Sequence, residues 1–243
     1  MATVEPVYLA GLATKTSEKI HEALRHSATV RVTHWINAIS FVGLVISGGA
    51  ILIAHPRFYW GESGGIGTPS VLDLPLPYLK GGPSGWGRNL HFVSAWICGL
   101  TGLFYVISGI FSRHFRNDLL PAKRDLTWRA TRAAISDHLR FKPLGPETAF
   151  AYNLLQRVTY LGVVFVMFPV ILWTAFAMSP AIVSVFPFFV TSLGGQETAR
   201  TLHFFAADLL VLFLAVHIAM VCFAGFTSRV RAMITGRAGK ERA

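Results

Sequence analysis

The hydrophobic positions of this chain form four long runs, separated by polar, basic or proline-rich stretches. An α-helix needs about 20 residues to cross roughly 30 Å of hydrocarbon, and each run reaches that length. The runs cover residues 32–53, 90–112, 154–178 and 201–226. The pattern therefore predicts an all-α integral membrane protein, folded as a bundle of four transmembrane helices.

The composition supports this interpretation. Of the 243 residues, 53% are hydrophobic and only 14% are charged, which is too apolar for an ordinary soluble domain. The first 30 residues carry no apolar run behind their basic residues, so they are not typical of a cleavable signal peptide. We expect an N-terminal arm at 1–30, a membrane domain at 31–226 and a basic tail at 227–243.

Lysine and arginine collect on one side of the four predicted spans. Most of the 22 basic residues fall in the N-terminal arm, in the connection between the second and third spans, and in the tail. The positive-inside rule then places both termini in the cytoplasm. The net charge of +10 reflects this topology and an attraction to anionic lipid head groups, which argues against a nucleic-acid partner.

Four histidines lie inside the apolar runs, where an imidazole needs a partner. His34, His91 and His203 each follow an arginine by three residues at the mouth of a span. His217 comes fourteen residues after His203 in the same span. Paired neutral imidazoles at membrane depth are typical ligands of haem iron. Two pairs indicate two haem groups.

Depth in the membrane determines which histidines pair. His34 opens a span that enters from the cytoplasmic side, whereas His91 and His203 open spans that enter from the outer side. Fourteen helical residues rise about 21 Å in nearly four turns, which brings His217 to the depth of His34. We expect His91 and His203 to hold an outer haem b, and His34 and His217 to hold an inner haem b.

The arginine that precedes each of three histidines shares its helix face and lies nearer to water. We expect Arg88 and Arg200 to pair with propionates of the outer haem, and Arg31 with those of the inner haem. The alternative is that these arginines only extend to the membrane interface. Asp208, in the fourth span, is a candidate for a proton path or for a bond to a neighbouring helix.

The two outer connections are candidates for a docking surface. Residues 54–89 are rich in Gly and Pro and carry Tyr59, Trp60 and Trp86, a composition too irregular for a helix. Together with residues 179–199 they would receive a periplasmic oxidoreductase above the outer haem. An interfacial aromatic belt with a flexible loop is the alternative.

These features together resemble a known family: the dihaem cytochrome b membrane subunits of nickel-iron hydrogenases, respiratory formate dehydrogenases and thiosulfate reductases. The resemblance rests on Arg31–Ala38, Arg88–Phe92, the interval from His203 to His217, and Ala232–Arg237. It implies a multi-pass protein of the bacterial inner membrane. It also implies electron transfer between a water-soluble partner outside and a quinone near the inner haem.

The same resemblance implies where the quinone binds. The segment around Asn153 is similar to the formate dehydrogenase membrane subunit, in which an asparagine lies at the quinone pocket. Asn153 is therefore the first candidate to contact menaquinone or ubiquinone, with Gln156 second. The alternative is an ordinary polar helix start, and Leu154 and Leu155 replace small residues of the family pattern.

We expect the chain to be an electron-transfer subunit and not a complete enzyme. Its partner would be a molybdenum-dependent oxidoreductase or, alternatively, a hydrogenase. A second hypothesis is a stand-alone haem b quinone reductase such as a superoxide oxidase. A transporter or a haem-free structural membrane protein is the third. The length of the outer connection at 54–89 favours the first hypothesis, because a docked partner needs such a surface.

Overall fold

The computed structural model describes residues 27–65, 67–76, 85–121 and 154–236, together with positions 127, 132 and 136. Most of the predicted N-terminal arm, Asn153 and the end of the tail lie outside these residues. Within them, four helices are long and apolar enough to cross a membrane, as the sequence predicts. They are Ala28–Ala54, Trp86–Phe111, Leu155–Ala177 and Gln196–Phe223.

The elements follow one another in a simple order. The first span is α1 and the second is α2. The third consists of α3, a π-helical turn and α4, and the fourth is α7. Their bounds, with those of the connecting elements, are α1 Ala28–Ala54, β1 Arg57–Phe58, β2 Leu72–Asp73, α2 Trp86–Phe111, α3 Leu154–Gly162, the π-helical turn Val163–Met167, α4 Phe168–Ala177, α5 Pro180–Val183, α6 Phe188–Thr191, α7 Gln196–Phe223 and α8 Phe226–Thr235.

Three of the spans begin about one turn earlier than hydropathy predicts. The first starts at Ala28, where the Ser27 side chain accepts a hydrogen bond from the backbone N–H of Val30 at 3.3 Å. The second starts at Trp86 and the fourth at Gln196. Hydropathy detects the part of a helix that lies in hydrocarbon, whereas the hydrogen-bonded helix continues into the interface.

The third span is interrupted, which the sequence analysis does not predict. A π-helical turn at Val163–Met167 precedes α4, and Pro169 lies in the first turn of α4. Proline has no N–H to donate to the carbonyl four residues earlier, so the helix widens where that bond is missing. The interruption lies near the middle of the third span, Leu155–Ala177.

The first two spans form a close hairpin through small side chains. Helix α1 buries Thr33, Ser40 and Ser47, which are spaced seven residues apart. The facing helix buries another set of small residues, Gly87, Ser94, Cys98, Gly102 and Gly109. A Cβ added at Gly43 would lie 2.5 Å from the Ser94 Oγ, so the backbones approach as small residues allow in lipid. Large apolar side chains such as Ile39, which is 72% exposed, point outward.

The third and fourth spans form a second hairpin. Helices α4 and α7 pack together, and the buried side chains between the elements here are again small. They include Thr174, Ala177, Ala199, Thr201 and Ala206. Among the described residues, the most extensive helix pairing is between α1 and α2, followed by α4 with α7. The helices of one hairpin stand further from those of the other, which leaves room between the hairpins.

The connection between α1 and α2 folds over the end of the bundle at which α7 begins. We call this the outer end. Strands β1 and β2 pair antiparallel, with Arg57 opposite Asp73 and Phe58 opposite Leu72. The described part of this connection contains no helix before Trp86, but residues 86–89, which the sequence analysis assigns to an irregular connection, already belong to α2. Phe58 and Tyr59 of this connection are buried, so it is a packed cover and not a free loop.

At the opposite, inner end the chain turns back after the fourth span. Gly225 adopts a φ of 93° and Gly236 a φ of 81°, and α8 lies between these two left-handed positions. Arg31 Nη1 donates to the Ile234 carbonyl at 2.6 Å, and Trp35 Nε1 donates to the Met233 carbonyl at 3.2 Å. Part of the predicted tail is therefore a helix held against the start of α1.

Candidate functional site

The four histidines meet in two pairs between the hairpins. The ring centroids of His91 and His203 are 6.3 Å apart, with their planes inclined at 64°. Those of His34 and His217 are 6.4 Å apart, with their planes inclined at 52°. We call these the outer pair and the inner pair. In each pair one ring comes from the first hairpin and the other from α7, and the pairing is the one that helix geometry predicts.

The spacing of the rings fits a metal ion between them. A metal–nitrogen bond of about 2 Å and a further distance of about 1 Å to the ring centre, taken on both sides, separate two centroids by roughly 6 Å. Among the described residues no group of three or more His, Cys, Asp or Glu side chains could hold a metal ion. Two imidazoles suffice for haem iron, because the porphyrin supplies the other ligands. The residues present therefore fit haem better than a bare ion.

The outer pair is oriented by two buried hydroxyl groups. Ser47 Oγ lies 3.1 Å from His91 Nδ1, and Thr174 Oγ1 lies 3.0 Å from His203 Nδ1. Ser47 donates its own proton to the Gly43 carbonyl at 2.6 Å. Thr174 bonds to backbone carbonyls of its own helix, at Val170 and Ile171, both at 3.0 Å.

The hydrogen bonds of these hydroxyl groups favour one tautomer of both outer histidines. Each hydroxyl has one proton, which it donates to its own helix, so its oxygen accepts the bond from the imidazole. Nδ1 of His91 and of His203 therefore carries the hydrogen. Nε2 is left with a free lone pair, which is the form of histidine that binds a metal.

The inner pair has aromatic neighbours instead. The Phe213 ring stacks on His217 with centroids 5.8 Å apart, and the Tyr160 ring lies 6.5 Å from the same histidine. His34 Nδ1 is buried and has no hydrogen-bond partner among the described residues. The same is true of Asn37 Oδ1 and Arg31 Nε, both on α1. Buried polar atoms without a protein partner are expected at a site that binds a further group.

The three candidate arginines have different surroundings. Arg200 donates to the His55 carbonyl at 2.6 Å and to Glu197 at 3.2 Å, and its guanidinium lies 5.0 Å from the centroid of the Phe58 ring. Arg31 binds the end of α8 through Nη1 and keeps its Nε unpaired. Arg88 is exposed at the start of α2. Their pairing with propionates stays a prediction.

The connection between α1 and α2 covers the outer pair, and its packing against α7 does not follow from the sequence pattern. The backbone N–H groups of Glu197 and Thr198 donate to the Gly61 carbonyl at 3.1 and 3.2 Å, which satisfies donors at the start of α7. Thr201 Oγ1 donates to the Tyr59 carbonyl at 2.7 Å in a buried position. Phe58 packs on Phe204, the residue after His203, with centroids 4.4 Å apart.

Sequence reasoning also misses Ser47, Thr174 and Tyr160. A single hydroxyl residue in an apolar run is a weak signal, since serine and threonine commonly bond their own helix backbone. The heptad spacing of Thr33, Ser40 and Ser47 indicates a shared face, but it does not show that one of them reaches a histidine on another helix. Only the packing of the helices reveals that contact.

The structure says less about the candidates for quinone binding and for a proton path. Asn153 lies outside the described residues. Gln156 is half-buried on α3, one turn before Tyr160, whose ring is near His217. Asp208 is exposed on α7, about 140° around the helix from His203, and so does not face the space between the hairpins.

The fold and the paired histidines define a membrane cytochrome b, and comparison with known proteins supports this class. The family model for prokaryotic cytochrome b561 matches residues 25–236, so the chain belongs to that family. A relative from Azospira oryzae, named "Putative protein-methionine-sulfoxide reductase subunit YedZ1", is 33% identical over 216 residues. The match covers 87% of this chain and 96% of the relative. No solved structure matches the chain.

Several predictions from the sequence are thereby confirmed. The chain is a multi-pass bacterial membrane protein with four transmembrane helices, and it is a haem b electron-transfer subunit. The number of haem groups, the residues that bind them, the quinone and the identity of the partner are not part of that confirmation.

Proposed function

We propose that this protein is a dihaem cytochrome b that carries electrons across the membrane, between a periplasmic oxidoreductase and the quinone pool. The observation that carries the proposal is the arrangement of four imidazole rings in two pairs with nearly equal spacing, 6.3 and 6.4 Å. On α7, His203 and His217 are about 21 Å apart along the helix axis. Each haem, when bound, would supply a one-electron carrier.

The chain's own residues hold and shield these carriers. His91 and His203 would bind the outer haem, and His34 and His217 the inner haem. Arg88 and Arg200 are proposed to face the outer propionates and Arg31 the inner ones. The close packing of small residues inside each hairpin fixes the position of the histidines, because lipid-embedded helices with such interfaces approach closely.

The proposed orientation places both termini in the cytoplasm and the outer pair at the periplasmic face. Its support is the concentration of basic residues in the arm, the inner connection and the tail. The outer end would then present residues 54–89 and 179–199 to a partner. Exposed apolar side chains there, including Trp60, Val185 and Phe186, suit a docking surface.

The name of the Azospira relative suggests what that partner does. A reductase of methionine sulfoxide consumes electrons, so a subunit serving such an enzyme would carry electrons outward from quinol. We propose a partner of this kind, acting on an oxidised sulfur compound, in preference to a hydrogenase. This is consistent with a molybdenum-dependent partner, which the resemblance to thiosulfate reductase subunits also implies.

Quinone is proposed to react beside the inner pair. Tyr160 lies on the third span with its ring centroid 6.5 Å from that of His217, Gln156 is one helical turn earlier, and Asn153 precedes both in the sequence. We expect Asn153→Ala to slow quinol oxidation several-fold without changing the haem content. Unchanged turnover would exclude Asn153 as a quinone contact.

The proposal is tested on the purified protein. A pyridine haemochrome assay should give two haem b per chain, and a quinol analogue should reduce both haems. One haem or none would contradict the proposal. The stand-alone alternative predicts that superoxide reduces the isolated protein and that added quinone then reoxidises it. Oxidation of the quinol-reduced haems by an oxidised sulfur compound, seen only when the partner is docked, supports the subunit role.

A further inference from the structure

The two ring pairs have the same spacing but differ in what their Nδ1 atoms contact. In the outer pair, both Nδ1 atoms face a buried hydroxyl oxygen, at 3.1 Å from Ser47 and 3.0 Å from Thr174. Ser47 is completely buried and Thr174 is 2% exposed, so water does not replace these contacts. In the inner pair, His34 Nδ1 has no partner among the described residues.

The two outer contacts are built in the same way on two different helices. Each hydroxyl donates to backbone carbonyls three and four residues earlier in its own helix. For Ser47 these are the carbonyls of Leu44 and Gly43. For Thr174 they are the carbonyls of Ile171 and Val170. A carbonyl only accepts, so each hydroxyl uses its single proton on its own helix and its oxygen accepts the hydrogen bond from the imidazole.

A hydrogen-bond acceptor on Nδ1–H makes the imidazole a stronger electron donor through Nε2. A stronger donor stabilises ferric iron relative to ferrous iron and lowers the reduction potential. Where no acceptor is present, as at His34 Nδ1, this effect is missing. The difference in hydrogen bonding between the two pairs therefore predicts a difference in reduction potential between the two haems.

We propose that Ser47 and Thr174 are positioning residues that lower the reduction potential of the outer haem specifically. They act through His91 and His203, and they do not touch the iron themselves. This inference rests on the proposed function, in which those two histidines bind one haem. It assigns a role in electron transfer to two side chains outside the ligand set.

The test is a spectroscopic redox titration of variants in which the hydroxyls are removed. Ser47→Ala and Thr174→Val delete one acceptor each while keeping the approximate volume. Each substitution should raise the midpoint potential of the outer haem. The expected shift in the reduction equilibrium is roughly three- to tenfold, which corresponds to about 28 to 59 mV for a one-electron couple. The inner midpoint should stay in place. The low-spin EPR signal of the outer haem should shift as well, because the ligand field weakens.

Two controls separate the hydrogen bond from packing. Ser40→Ala removes a buried hydroxyl from the same face of α1, one heptad before Ser47, and should leave both midpoints unchanged. Thr174→Ser keeps the hydroxyl and loses only a methyl group, so it should retain the outer potential of the unaltered protein. If Thr174→Val loses the haem, Thr174→Ser must still bind it at the original potential.

The outcomes distinguish this inference from the proposed function. Introducing His217→Ala beside each variant isolates the outer haem, so its midpoint is read without overlap. If the unaltered protein binds two haems but Ser47→Ala and Thr174→Val leave the outer midpoint in place, the inference is wrong and the proposed function stands. Equal shifts at both haems, or the same shift in Ser40→Ala, would also overturn it. Failure of the unaltered protein to bind two haems would overturn the proposed function instead.

Discussion

The outer and inner histidine pairs are alike in geometry and different in their surroundings. Their centroid separations differ by only 0.1 Å, being 6.3 and 6.4 Å. The outer pair is held by two hydroxyl groups, whereas the inner pair is bordered by Phe213 and Tyr160. The equal spacing agrees with the proposal that both pairs bind the same group. The surroundings are free to differ, and under that proposal they would give the two haems different properties.

The two ends of the bundle are also closed in different ways. At the outer end the Gly61 carbonyl caps α7, and Thr201 bonds the backbone of Tyr59. At the inner end α8 folds back onto α1, where Arg31 and Trp35 bond its last carbonyls. Each closure includes a residue within three positions of a histidine in the sequence, so each can be weakened at one pair alone.

The largest effect should come from removing one ligand of one pair. His217→Ala should reduce the haem content from two per chain to one and leave the outer haem in place. The matched variant His203→Ala should leave the inner haem instead. Haem content and the reduced-minus-oxidised spectrum measure both results. Loss of both haems to the same extent in each variant would contradict independent pairs.

The outer closure is tested by Thr201→Val, which keeps the shape of the side chain and removes its hydroxyl. The Tyr59 carbonyl is left buried without this donor, at a cost of about 1–3 kcal/mol. We expect the outer haem to be lost at a lower temperature, while loss of the inner haem changes less. Thr191→Val, at an exposed threonine of the second outer connection, is the control and should have no such effect.

The inner closure is tested by Trp35→Phe, which deletes the donor to the Met233 carbonyl. A net hydrogen bond of about 1 kcal/mol corresponds to a roughly fivefold change in local opening of α8. Trypsin cleavage after Arg229 and Arg231 should accelerate by that factor, with cleavage of the outer connections unchanged. Equal cleavage rates for both proteins would show that this bond does not hold α8.

The smallest effect is expected at the exposed pair of Arg57 and Asp73 on strands β1 and β2. The two charged groups are 3.0 Å apart, but their side chains are 61% and 49% exposed. Solvent screens such a pair, so Arg57→Ala should change stability by no more than about 0.5 kcal/mol and leave both haems unaffected. A large loss of the outer haem would show that the strand pair itself, and not only Thr201, secures the cover.

Much of this protein follows from the order of residues alone. Four apolar runs of sufficient length give four transmembrane helices, because hydrocarbon requires the backbone to satisfy its hydrogen bonds within each helix. The regular rise and twist of a helix determine the distance between His203 and His217 and place them on the same face, because both residues belong to one helix. His34 and His91 could be matched to them by depth, because a membrane fixes where each span begins.

Other features depend on contacts between segments far apart in the sequence. Ser47 bonds a residue 44 positions away and Thr174 one 29 positions away, and hydropathy contains no information about such distances. The cover at Tyr59 and the return of α8 to Arg31 are likewise decided by packing between ends of different helices. The sequence by itself determined the helices and the depth of their histidines, because those depend on local geometry and on the membrane. Only the tertiary structure decided which polar groups surround each pair, because that depends on how the helices are rotated against one another.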